Sequence, residues 1–503
     1  MTNFFTEKTI SKNWRLAYMG FALLIAILYD VFLWDLKLGL GFFVYVVVYL
    51  LGFVIISALS GQLRQPLAFL LLIPILILSF DVLLYNNRLV SHFVPWFVLV
   101  LCFVFSILLT LQNPNNYKFS FLKIPILTHI DLPFAKWITM YNDFFKWDVS
   151  GSKAIIKKVL TGVVIALPIL VIFLSLFMGA DAVFAETVEK IFDFRLPDQF
   201  VWRILRTFFI TLIFSSLFYV LISKDNVMGN KINKSIKMDK TVVGTIFLLV
   251  NFLFFGFVLI QFKYLFAGSM DFVLESGYTF AEYARQGFFE LAWVIGLAAI
   301  LLMFFYRSAS DHGFHLVIKI LKVIFVLQVG VIAYSALKRM NLYQDAYGFT
   351  VLRLYVEWFI YFSMVILLFA AVSLVIENKF RTFLYSSMVL GVIALTVVSC
   401  INVDKMIANE NVDRYLDEGK ELDILYLTQD LSLDTYTEVR RAFESGFVFA
   451  DDTYRIAVEQ GEAYTTNTFN KDNFHALYNV SNMAGDSWRE FNFNLNNFLI
   501  NFK

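Results

Sequence analysis

The chain has 503 residues, 59% of them hydrophobic and only 16% charged, with 58 Phe against 8 Pro and a mean hydropathy of +0.70. Soluble domains carry roughly 25% charged residues, and none of this length has an interior large enough to hide so much apolar surface, so a soluble globular protein is excluded. The formal net charge of +1 conceals two regions of opposite sign.

A helix needs about 20 apolar residues to cross the hydrocarbon layer. The first such run, residues 16–34, follows Lys8, Lys12 and Arg15. It is too long for a secretory signal, contains Asp30 and lacks a small-residue cleavage site, so it reads as an uncleaved helix. Further runs lie at 40–59, 66–84, 93–111, 159–177, 201–222, 242–262, 288–306, 316–337, 350–376 and 383–401. The expectation is an all-α, polytopic transmembrane helix bundle of about eleven spans over residues 1–401. A small α-helical extramembrane domain follows over residues 402–503. The lipid bilayer is the first partner. Cys102 and Cys400 both fall in apolar runs, where a thiol behaves as a small hydrophobe, and no disulfide framework is expected.

Lysine and arginine in short loops set orientation. The N-terminus is basic, and so are the connections holding Lys136, Lys146, Lys153, Lys157 and Lys158, then Lys224, Lys231, Lys234, Lys237 and Lys240. These belong inside. Asp181, Glu186, Glu189, Asp193 and Asp198, then Asp271, Glu275 and Glu282, fall in loops that belong outside. Eleven spans from a cytoplasmic N-terminus end with an extracytoplasmic C-terminus, in a bacterial cytoplasmic membrane. Lys338 and Arg339, placed outside, argue the other way. One inner loop carries Phe134, Trp137, Ile138, Tyr141 and Phe145 at helical spacing, with Lys136, Asp143 and Lys146 opposite, which suits a helix lying on the surface or folded against the bundle. The tail holds about 9 Lys+Arg against 18 Asp+Glu, a net of about −9, which leaves about +10 on the membrane part.

Apolar residues in the tail recur at three and four, the spacing of short helices rather than strands. Ser487 and Glu490 form a capping-box pattern before Trp488, Phe491, Leu495, Phe498, Leu499 and Phe502, one apolar face that must dock. The run Asn411, Arg414, Tyr415, Leu422, Asp423, Tyr426, Leu427, Leu431, Ser432 and Asp434 resembles the "N..RY…LD..YL..LS.D" signature of a family of bacterial multi-pass membrane proteins. That family is known as domain of unknown function four-one-seven-three, with a close sister group. Trp488, Arg489, Phe491 and Asn492 resemble its "WR.FN" motif, and Asp181, Val183 and Phe184 its "D.VF" loop. The resemblance covers the chain from about Val159 onward. It implies architecture and bacterial origin, and brings no activity, substrate or catalytic residue.

Ionisable groups within spans cost at least about 2.5 to 3.5 kcal/mol each at mid-membrane, so each needs a reason. Asp30, Asp81, Arg203, Arg206, Glu290, Arg353 and Glu357 all fall in the outer third of their runs, and form a candidate polar layer beneath the tail. Structural ion pairing is the commoner use of such groups. A vestibule for a solute or a lipid headgroup is the functional alternative. Asn251 and Gln261, near one helix face, suit interhelical hydrogen bonds or a pathway. Asp311, His312 and His315 form a D-H-x-x-H cluster, but Gly313 interrupts it and a solvated loop is the simpler reading. No metal site, cofactor or catalytic residue is expected, and no P-loop, G-x-S-x-G, H-E-x-x-H or dinucleotide fingerprint occurs. The basic residues sit in loops as topology signals and form no nucleic-acid patch. The expected function is therefore that of a non-enzymatic transporter-like or sensory or scaffold protein of the envelope, whose tail receives an extracytoplasmic protein or small molecule. The alternative is a lipid- or glycan-modifying enzyme using Asp30, Asp81, Glu290 and Glu357.

Overall fold

The computed structural model describes residues 12–110, 200–222, 240–266, 288–305, 315–376, 380–449, 455–457, 463–465, 474–478 and 488–493. The expected span 159–177, the surface helix around Trp137, the "D.VF" loop, Asp311 and His312 lie outside them, and His315 is the first residue of a helix.

Helices dominate. They are α1 (Lys12–Phe32), α2 (Leu40–Leu59), α3 (Leu72–Leu84), α4 (Val94–Thr110), α5 (Phe200–Ile222), α6 (Lys240–Phe266), α7 (Phe288–Phe305), α8 (His315–Tyr347), α9 (Val351–Val375), α10 (Phe380–Ser399), α11 (Val403–Glu418) and α12 (Tyr436–Glu444). A 3₁₀ turn, Pro66–Leu71, leads into α3, and a π turn, Leu89–Phe93, leads into α4. Eight described helices are long and apolar enough to cross a membrane. A ninth arises if α10 and α11, bent by 58°, count as one span, and Glu290–Phe305 is a shorter apolar helix. The chain is an integral membrane protein. Its exposed side chains agree, with Phe252 79%, Trp293 73% and Leu368 68% exposed. So many large apolar side chains exposed along helices are stable where the surroundings are themselves apolar.

Two compact units divide the chain. One comprises Met1–Leu84, Val90–Lys231 and Gly485–Phe493, the other Tyr85–Leu89, Ile232–Ala484 and Asn494–Lys503. Lipid supplies no hydrophobic drive between helices, so aromatic packing and hydroxyl bonds join them. In the first unit, α1 and α5 run antiparallel. Tyr18 and Phe21 at the start of α1 meet Phe218 near the end of α5, and Asp30 at the end of α1 meets Arg203 and Arg206 near its start. Tyr18 shares hydrogen bonds with Ser57 and Ser60 of the α2 end, at 3.0 and 3.1 Å, and Tyr49 with Ser106 of α4 at 2.7 Å.

In the second unit, α6 and α8 run parallel and are laced by polar groups. Asn251 donates to the Leu321 carbonyl at 3.0 Å, Gln328 donates to the Asn251 carbonyl at 3.3 Å, and Ser335 bonds the Gln261 amide oxygen at 2.6 Å. Both amides expected to face a pathway or a neighbour thus bond a neighbour. Two lysines of α8 hold helix ends: Lys322, 2% exposed, donates to the Phe305 carbonyl at 2.6 Å, and Lys319 to the Val375 carbonyl at 3.0 Å. A cation at a C-terminus meets the negative end of the helix dipole.

From Asn402 onward the chain is polar. Asn402 caps α11 by accepting from the Lys405 amide at 3.2 Å, and Gly419, at φ +64°, ends it. The expectation of helices without strands needs one amendment. Arg455–Ala457 and Ala463–Thr465 pair as a two-stranded antiparallel ladder, in register Ile456 to Tyr464. Three residues a side are too few for alternation to be visible in sequence. The terminal segment also differs, with Trp488–Glu490 forming a single 3₁₀ turn. Leu495, Phe498, Leu499 and Phe502 lie outside the described residues.

Candidate functional site

The α8–α9 corner and the tail form one core. Val403, Ile407, Val412, Leu427, Val439 and Phe443, all buried, cluster with Leu354 of α9, and Phe349, Val351, Tyr355 and Trp358 pack against them. The corner turns because Gly348 adopts φ +79° and its N–H bonds the Gln344 carbonyl at 2.8 Å, a left-handed helix stop. Asn411 then clamps the next residue. The Phe349 N–H donates to its Oδ1 and its Nδ2 donates to the Phe349 carbonyl, each at 2.8 Å. Arg414 donates to the Asp345 carbonyl, and the Tyr426 hydroxyl accepts from the Val351 N–H, the first of α9, at 2.9 Å. Arg353 covers the α8 end from the other side, donating to the Tyr347 and Gly348 carbonyls at 3.0 and 2.6 Å and stacking on Tyr343.

These contacts give the signature residues their physical reason. Asn411, Arg414 and Tyr426 satisfy backbone groups that a helix corner exposes. Asp423 caps the turn through the Tyr426 amide at 2.9 Å, Tyr415 packs on Phe447, and Leu427 and Leu431 are core. Ser432 caps the turn at Asp434, and the Ser432 amide donates to Asp404 at 2.9 Å. Burial pushes the Asp404 carboxyl up, against the lowering effect of Ser432 and Arg88. Burial likewise raises the Tyr478 hydroxyl, which bonds Thr435 at 3.0 Å.

The "WR.FN" residues sit on the first unit. Trp488 meets the Phe32 ring edge-on, Arg489 donates to the Val31 carbonyl at 2.6 Å, the Phe491 carbonyl accepts from Leu40, and Asn492 donates to the Val82 carbonyl at 3.2 Å. Gly41 is required here, since a Cβ would stand 2.9 Å from the Phe32 carbonyl oxygen and 3.0 Å from that of Arg489.

Of the seven candidate polar-layer residues, three meet. Asp30 accepts from Arg203 Nε at 2.8 Å and from Arg206, which lies over the Trp34 ring at 3.7 Å. Asp81 is buried in α3, and Glu290 is exposed in the first turn of α7. Glu357 accepts from Gln344 at 2.8 Å, beside Arg353 with its own carbonyl partners. Sequence reasoning passed over Lys319 and Lys322, although two lysines inside an apolar run were the visible signal. Among the described residues no group of three or more His, Cys, Asp or Glu side chains could hold a metal ion.

A family model described as "Domain of unknown function (DUF4153)" matches residues 66–442, more than half of the chain. The match agrees with the motifs that this is a domain-of-unknown-function family, begins earlier than they suggested, and does not confirm the number four-one-seven-three. No curated protein and no solved structure matches.

Proposed function

From the premise that the chain belongs to this DUF4153 family, which carries no activity with it, we propose a non-enzymatic envelope protein of the sensory or scaffold kind. Its tail is a platform for an extracytoplasmic protein or small molecule, rigidly joined to the α8–α9 hairpin. One observation carries the reading: the tail and the hairpin share a single buried core, with Leu354 of α9 among the tail's own apolar residues. An occupant that shifts the tail therefore shifts two spans with it. Asn251 and Gln261 of α6 and Lys322 of α8 are engaged in interhelical bonds. That favours a sensory or scaffold role over a transporter.

The membrane is proposed to be a bacterial cytoplasmic one, with the N-terminus inside and the tail outside. The antiparallel α1–α5 pair supports the orientation, because it sets the start of α1 and the end of α5 on one face. Both ends are flanked by lysines, Lys8 and Lys12 at one and Lys224 and Lys231 at the other.

Single cysteines at Val329, Ile332 and Ala336, buried along α8, in a chain with Cys102 and Cys400 replaced, test the function. The sensory or scaffold reading expects no labelling by a membrane-impermeant maleimide from either side. Labelling at successive depths would establish a water-filled path and overturn the reading in favour of transport.

A further inference from the structure

The cluster at the α1–α5 crossing sets one carboxylate against two guanidiniums. The Asp30 side chain is 10% exposed and that of Arg206 13%, while Arg203 keeps 52% exposed. Among the described residues, one positive charge is left over. The cluster is built, since Asp30 orients both arginines and Trp34 lies under Arg206. The Nε of Arg206 is buried and has no hydrogen-bond partner among the described residues. Arg203 spends its Nε on Asp30, leaving its other N–H donors in a planar fork that fits two oxygens of a phosphate.

Three exposed tryptophans mark the depth of this cluster. Trp34 and Trp202 flank it in sequence, and Trp488 packs on Phe32, two residues beyond Asp30. Their exposures are 47, 67 and 62%. Tryptophans at helix ends collect at the headgroup level of a bilayer, where lipid phosphates lie. The surplus positive charge and the phosphate layer therefore fall at one depth. We propose that Arg203 and Arg206, held by Asp30 and Trp34, bind the phosphate of an anionic phospholipid headgroup.

The full chain in nanodiscs of equal parts phosphatidylglycerol and phosphatidylcholine, with retained lipid read by native mass spectrometry, is the test. Wild type is expected to retain phosphatidylglycerol preferentially. Arg203→Gln leaves the Arg206–Asp30 pair in place and should lower that preference about fivefold, the weight of one basic side chain at an anionic surface. Asp30→Asn doubles the surplus charge and should raise it, an outcome that a purely structural ion pair does not give. If Arg203→Gln fails to fold, Asp30→Asn and Arg203→Lys carry the test, the latter with a preference between wild type and none. Equal retention of the two lipids by wild type, or a lower preference in Asp30→Asn, overturns the proposal. So does stabilisation of the detergent-solubilised protein by inorganic phosphate without any lipid preference, which would make the ligand a free anion.

Discussion

Asp404 is a carboxyl whose charged form its surroundings resist. It is 3% exposed, and its carboxyl is raised by burial even though the Ser432 amide donates to it. A carboxyl whose pKa is raised on folding binds its proton more tightly in the folded state, so stability declines as pH climbs from the ordinary carboxylate value through the raised one. Asp404→Asn keeps an oxygen for the Ser432 amide and removes the charge. It is expected to raise the thermal midpoint at neutral pH and to flatten the decline. Asp404→Ala strands the amide and should cost about 1 to 3 kcal/mol, both read by thermal melts across pH. Ser432 was visible as a motif letter, but its partner Asp404 did not stand out in sequence, where one acid among eighteen in an acidic tail looks solvated. Asn411 and Tyr426 were visible as motif letters, but a motif names residues without saying which backbone group each satisfies.

At the level of elements, the apolar runs and helices agree closely at 201–222 and 350–376, even with charges inside them, and part company at the end of α8. The α8 run was expected to stop at Leu337, before Lys338 and Arg339, yet the helix continues to Tyr347. A 33-residue helix is about 50 Å long, well beyond the hydrocarbon thickness. Its last turns are held by packing that hydropathy cannot register. Met340 and Gln344 are buried, and the end is capped by Gly348, Arg353 and Arg414. The corner can be broken at one atom. In Gly348→Ala the new Cβ would lie 2.6 Å from Asn411 Oδ1 and 2.9 Å from Arg414 Nη1, at a φ of +79°. The backbone strain alone is about 1 to 2 kcal/mol. Amide exchange in α11 and α12 should accelerate in this variant while α1–α4 exchange as in wild type. Unchanged exchange in α11 would mean that the corner does not hold the tail.

Across the whole molecule, helical class and membrane character were legible from composition, because only a lipid environment tolerates this apolar fraction. The division into two units was not, because it depends on pairings such as α1 with α5 that lie far apart in sequence. That pairing nevertheless makes a topological statement. Residues 12 and 222 share a membrane face, so reporters fused before Asn13 and at Lys234 should read the same side, and one after Lys503 the opposite side. Opposite readings at the first two would contradict the α1–α5 pairing, and a C-terminal reading on their side would mean that a span was miscounted.

The seat of Arg489 on Val31 joins residues 458 positions apart. The chain leaves the ribosome N-terminus first, at roughly 5 to 20 residues per second. The Val31 carbonyl, the Leu40 amide and the Val82 carbonyl thus enter the membrane roughly 20 to 90 s before the residues that satisfy them exist. Until residues 488–492 are made, α1, α2 and α3 are an unfinished assembly that lipid, water or a chaperone must tend. These three helices are made long before the contacts that close them.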